Sequence, residues 1–157
     1  MLRWTWLSVL VVVLDQITKW MASAWMAPYE TYPVLSWFNL TLVHNTGAAF
    51  SFLSDADGWQ RWFFILLSIA VSVAIVIWLK RLHAHEQWTA AALALILGGA
   101  IGNVIDRIAH GYVVDFIQWY YDQWYWPTFN IADSAISVGA AILLIHGVFF
   151  ASREEQA

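Results

Sequence analysis

Two aspartates sit where an acid is costly. Asp115, in VVDF (113–116), is flanked by Val113, Val114, Phe116 and Ile117 and has no obvious local partner. Asp133, in FNIADS (129–134), opens the last long apolar run. Its plainest role there is a helix cap, because Asn130 followed three residues later by an acid resembles a capping box. The carboxylate would also face the positive end of the helix dipole. A second role is chemical. Two carboxylates at close range share a proton, so one pKa rises and the other falls. The charged partner can activate a water while the protonated one polarises a carbonyl, and the two titrate as a unit. Peptide hydrolysis by this route requires no covalent intermediate, metal or cofactor, and none is expected.

Further polar residues gather near the same pair. GNVIDR (102–107) carries Asn103, Asp106 and Arg107. At helical spacing Asn103 and Arg107 share a face, and Asp106 lies beside Asn103. A simple Asp106–Arg107 ion pair at a helix end is the plain alternative. DQITK (15–19) adds Asp15 and Lys19, which are expected to close the first span at the same level, and NTGAAF (45–50) adds Asn45. An ionisable group inside a membrane span points to function by default, since burying its charge is expensive.

Other chemistries fit poorly. A Ser/His/Asp triad would have to join Ser51 or Ser134 to His44 or His110, and no G-x-S-x-G nucleophile elbow occurs. There is no cysteine, which removes thiol nucleophiles, disulfides and zinc–thiolate sites. His83 and His85 sit beside Lys80, Arg81 and Glu86 and read as a solvated charge cluster. Gly98-Gly99 lies inside an apolar span, where packing accounts for it better than phosphate binding does.

The elements that must position these residues follow from hydropathy. Of 157 residues, 61% are hydrophobic and 11% charged, whereas a soluble domain carries about a quarter charged. The reading is an all-α integral membrane protein, a four-helix bundle forming a single membrane domain over 1–157. The spans are expected at about 4–20, 62–79, 88–105 and 132–151, with external segments at 21–61 and 106–131. Gly98 and Gly102 have the GxxxG spacing that lets helices approach closely. Met1-Leu2-Arg3, an apolar run and Ala22-Ser23-Ala24 imitate a cleavable secretory signal, but Asp15 and Lys19 interrupt it, so the segment is expected to remain as the first span.

Arg3, Lys80, Arg81 and Arg153 fall on one side, and Lys19, Arg61 and Arg107 on the other. The short 80–87 loop and Arg3 favour both termini in the cytoplasm, which places the polar cluster near the external face. The formal charge of −4 argues against a nucleic-acid partner. VLSWFNLTLVH (34–44) suits a short strand or hairpin on the membrane surface. FIQWYYDQWYW (116–126) reads as an interfacial aromatic loop that could close over the site as a lid. Intramembrane acids also mark proton paths, but here they gather at one face and no inverted repeat relates the halves. A structural scaffold would leave the clustered acids unexplained.

These motifs, in this order and with four spans, resemble the bacterial lipoprotein signal peptidases (signal peptidase II), small aspartyl proteases of the cytoplasmic membrane. The resemblance covers nearly the whole chain: DQITK, NTGAAF, GNVIDR, VVDF and FNIADS all match, while the Trp-rich 119–126 stretch is individual. It implies that Asp115 and Asp133 are the catalytic pair and that Asn103 and Arg107 hold the substrate backbone. Asp106, Asn130, Asp15 and Asn45 would line or brace the polar cavity. The implied substrate is a prolipoprotein with a diacylglyceryl-cysteine, cut just before that cysteine on the external (periplasmic) side of the inner membrane. A small extramembrane β-sheet would cradle it. Membrane lipids are the remaining expected partners, and the enzyme is expected to act as a monomer.

Overall fold

The computed structural model describes residues 1–47 and 58–149. Residues 48–50 of NTGAAF, Ser51, Arg153 and the end of the fourth expected span lie outside them. A 3-10 turn, Leu2–Trp4, leads into α1, Thr5–Trp25. The other helices are α2, Trp59–Arg81, α3, Gln87–Ala109, and α4, Ile131–Phe149. All four are long and apolar enough to cross a membrane.

Helix α3 is the axis of the bundle. Its apolar window is 61% buried, against 28% or less for each of the others, and it packs on α1, α2 and α4. Small residues make this possible. A Cβ on Gly98 would meet Ser8 and Val11 of α1, one on Gly102 would meet Asp15, and one on Gly99 would meet the Ala132 carbonyl of α4. The GxxxG pair therefore seats α1, and the intervening Gly99 seats α4. Ile75, Leu79, Ala90, Leu93 and Leu97 form the apolar core between α2 and α3.

At one end of the bundle a four-stranded antiparallel sheet runs in the order β1-β2-β3-β4. Its strands are β1, Thr31–Leu35, β2, Phe38–Asn45, β3, Val113–Tyr121, and β4, Trp124–Tyr125. The first two form the hairpin expected at 34–44. β2 pairs with β3 so that Val43 stands opposite Asp115 and Asn45 opposite Val113. Ala22 of α1 packs with Leu42, Val114 and Phe116, which fastens the sheet to the bundle.

Three expectations change. α1 continues to Trp25, past the expected end at 20, so Asp15 lies near the middle of the helix and not at its close. α3 likewise runs on through Asp106 and Arg107 to Ala109. The segment read as an aromatic loop is largely strand. Val, Ile, Phe, Trp and Tyr favour an extended, half-buried surface, and β2 supplies the partner for its backbone. Asp122, at φ 53°, makes the turn to β4; Asp tolerates this left-handed geometry better than most residues.

Candidate active site

Asp115 is held by the sheet. It is 1% exposed on β3. Its Oδ2 accepts from Asn45 Nδ2 at 2.9 Å and its Oδ1 from Asn130 Nδ2 at 2.7 Å. Asn45 reaches it because β2 and β3 are neighbours, and Asn130 because Ile117 bridges to Phe129.

Asp133 is held by the start of α4. Asn130 Oδ1 accepts from the Asp133 backbone N–H at 2.9 Å, and Asp133 Oδ2 accepts from the Asn130 N–H at 3.3 Å. This is the reciprocal capping box anticipated from the sequence. The other oxygen, Oδ1, accepts from Asn103 Nδ2 at 2.8 Å. Asp133 is thus a cap and also points an oxygen at the polar cluster of α3.

Both carboxyls line one cavity of about 540 Å³, together with Asn45, Asn103, Arg107 and the rings of Trp119 and Trp126. Burial pushes the Asp115 carboxyl up to about 7, and the charge of Asp133 adds to the rise; hydrogen bonds from Asn45 and Asn130 and the charge of Lys19 oppose it. A carboxyl near 7 can hold or release its proton at physiological pH.

Asp15 and Asp106 stand behind this cavity. Lys19 Nζ lies 2.8 Å from Asp15 Oδ2 and 2.9 Å from Asp106 Oδ2. Asp15 Oδ1 accepts from the Ala132 N–H at the head of α4 (2.9 Å), and Asp106 Oδ2 accepts from the Val114 N–H of β3 (3.0 Å). Each acid therefore ties down the element that carries one of the cavity's two aspartates. The simple Asp106–Arg107 pair is not formed, because consecutive helical residues point apart. Arg107 instead donates to the Gly47 carbonyl at 2.7 Å and lies 5.0 Å over the Phe64 ring. Its Nε is buried and has no hydrogen-bond partner among the described residues.

The triad alternative finds no geometry among the described residues. Ser134 donates to the Asn130 carbonyl, and His44 and His110 both stack on Tyr112. His83 pairs with Glu86 at the exposed turn between α2 and α3, as a solvated cluster should. Lys19 and Gln16 carry more of the site than the sequence suggested. Gln16 donates to Asp106 Oδ1 at 2.9 Å. The signal was available, since Asp15 and Lys19 are spaced i, i+4.

The sequence model of the family described as Signal peptidase (SPase) II matches residues 7–149. The chain belongs to that family. It is 55% identical to the lipoprotein signal peptidase of Pseudomonas fluorescens over 92% of this chain and 86% of that one. The corresponding figures are 57%, 94% and 84% for the lipoprotein signal peptidase of Acinetobacter baumannii. For that of Pseudomonas aeruginosa they are 53%, 92% and 86%. Among solved structures, a bacterial membrane enzyme determined in meso at 2.3 Å superposes with a TM-score of 0.84 at 32% identity, covering 94% of this chain and 88% of that one. A second, at 1.9 Å, gives 0.81 and 31%, covering 96% and 95%. As a signal peptidase II the chain is a membrane protease, and its four apolar helices and small sheet agree with that class.

Proposed function

We propose that this signal peptidase II is an aspartyl endopeptidase that removes the signal peptide from diacylglyceryl-modified prolipoproteins, cutting before the lipidated cysteine. The observation that carries the reading is the meeting of Asp115 and Asp133, from separate elements, in one cavity beside the ends of α3 and α4. Asp115, with its carboxyl near 7, is the member that holds the proton. N–H donors reach both oxygens of each carboxyl, so Asp133 takes the ionised role in this reading as the partner of the protonated Asp115. A water between them loses a proton to Asp133 and attacks the scissile carbonyl carbon, while the Asp115 O–H supports the carbonyl oxygen. Collapse of the tetrahedral species breaks the C–N bond, and the amine leaves with a proton from the pair.

Asn103 and Arg107, which also line the cavity, hold the substrate backbone; the buried Arg107 Nε offers an uncommitted donor among the described residues. Trp119 and Trp126 form the apolar wall next to which a lipidated residue would lie, and the β3–β4 hairpin serves as cover for the site. In this reading the site and sheet lie at the external face of the inner membrane, both termini are in the cytoplasm, and the enzyme works as a monomer.

Reconstituted protein incubated with a diacylglyceryl-modified prolipoprotein tests the reading. Asp115→Asn and Asp133→Asn are each expected to lower kcat by about 100- to 10,000-fold. Full cleavage by either variant would sink the pair.

A further inference from the structure

Lys19 is a buried cation without an assigned task. It is 3% exposed, and its ammonium has three hydrogen-bond donors and no acceptor. All three have partners: Asp15 Oδ2 at 2.8 Å, Asp106 Oδ2 at 2.9 Å and Asn103 Oδ1 at 2.9 Å. The third matters most. An amide that gives its oxygen to a cation must turn its Nδ2 the other way, and Asn103 Nδ2 meets Asp133 Oδ1 at 2.8 Å. Asn130 Nδ2 reinforces the same orientation by donating to Asn103 Oδ1 at 3.2 Å. Were Asn103 to flip, its oxygen would face Asp133 and favour a protonated carboxyl there.

We infer that Lys19 is a positioning residue for catalysis, acting through the Asn103 amide to keep Asp133 as the charged, water-activating member of the pair. This rests on the aspartyl reading proposed above. Lys19 touches neither carboxyl of the pair, so its effect is exerted through orientation and field. Among the described residues, the charged groups facing the site are Asp15 and Lys19 from α1, Asp106 and Arg107 from α3, Asp115 from β3 and Asp133 from α4. Four carboxyl groups thus share two cations. Of those two, Lys19 is the one bonded to the amide that holds Asp133. The bland alternative is a tether, in which Lys19 only neutralises Asp15 and Asp106 and fastens α1 to α3.

Kinetics separate the two. Lys19→Met strands two buried acids and could fail to fold, so Lys19→Met/Asp106→Asn is made beside it; the Asn keeps an acceptor for the Val114 N–H. In a variant that folds, kcat is expected to fall by about 10- to 100-fold with KM nearly unchanged. The acidic limb of the pH–kcat profile should move up by about one unit in Lys19→Met, because a cation that favours the charged form of the pair is gone, and by less in the double variant, which also removes the Asp106 charge. Asn103→Ala should cost much less in the Lys19→Met/Asp106→Asn background than in the native chain, since both changes break one relay. A folded variant with full kcat and an unmoved limb overturns the inference, as do strictly additive losses. Failure of both Lys19 variants to fold also overturns it and makes Lys19 a tether. Asp133→Asn in the otherwise native chain is the reference. If that variant retains activity, the aspartyl reading has failed, and the role of Lys19 falls with it for that separate reason.

Discussion

Asp115 carries two properties that pull against each other. Its burial and the nearby Asp133 favour a proton on it, whereas the two amide donors aimed at its oxygens favour charge. The net result, a carboxyl near 7, has a consequence for stability. An unfolded aspartate releases its proton near 3.8, while folded Asp115 keeps it to about 7. Between these values the folded state binds more protons, so stability falls as pH rises. This contribution is fully present below about pH 3.8 and is lost as pH passes about 7. Thermal unfolding in detergent from about pH 4 to 8 should therefore show the wild type losing ground to Asp115→Asn as pH rises, by up to about 4 kcal/mol in all. Parallel curves for the two proteins would mean that Asp115 is not held protonated. At this scale the sequence was informative where an acid lacked a neighbour to explain it, as in VVDF. It was misleading where neighbours in sequence invited a pairing. Asp106 and Arg107 are adjacent in the chain but diverge on the helix, and the true partner of Asp106 is Lys19, on another helix.

Among the elements, the packing of α3 against α4 fixes where Asp133 sits. The contact depends on glycines whose missing side chains leave room for the other helix's backbone. A Cβ on Gly99 would collide with the Ala132 carbonyl oxygen, one residue before Asp133, and come within 2.7 Å of Ile136 Cγ1. On Gly147, in the same helix as Asp133, a Cβ would meet nothing within 4 Å. Gly99→Ala is thus expected to destabilise by about 1–3 kcal/mol and to lower activity by displacing α4. Gly147→Ala should be neutral or gain up to about 1 kcal/mol from helix propensity. Equal melting temperatures for the two would show that the α3–α4 contact is looser than its geometry implies. The four helices were readable because long apolar runs admit few alternatives. Their ends were not, because Asp15, Lys19, Asp106 and Arg107 lower local hydropathy while the helices continue. Those side chains find partners on other segments. β3 was hidden for a related reason. A strand declares itself through its partner, and Asn45 of β2 is 70 residues from Asp115 in the chain.

For the whole molecule, the orientation in the membrane decides whether the proposed site faces the compartment where a lipidated precursor is cut. By sequence the basic residues divide narrowly, with Lys19, Arg61 and Arg107 counted against Arg3, Lys80, Arg81 and Arg153. The structure changes how they should be weighed. Lys19 is enclosed by Asp15, Asp106 and Asn103, and Arg107 is buried against Gly47 and Phe64. Neither presents a free charge to a loop, whereas Lys80 and Arg81 end α2 at an exposed turn. The positive-inside rule concerns charges in loops and near helix ends, so the bias toward a cytoplasmic α2–α3 turn is stronger than the count implied. The native chain has no cysteine, and single cysteines can report on it directly. Gln123 lies in the exposed turn between β3 and β4, and His85 in the exposed turn between α2 and α3. In spheroplasts treated with a membrane-impermeant maleimide, Gln123→Cys should label at once and His85→Cys only after lysis. His85→Cys should retain cleavage activity, since His85 lies outside the cavity and its proposed cover. The reverse labelling pattern would place the aspartates at the cytoplasmic face, where a precursor anchored in the outer leaflet could not present its scissile bond to them.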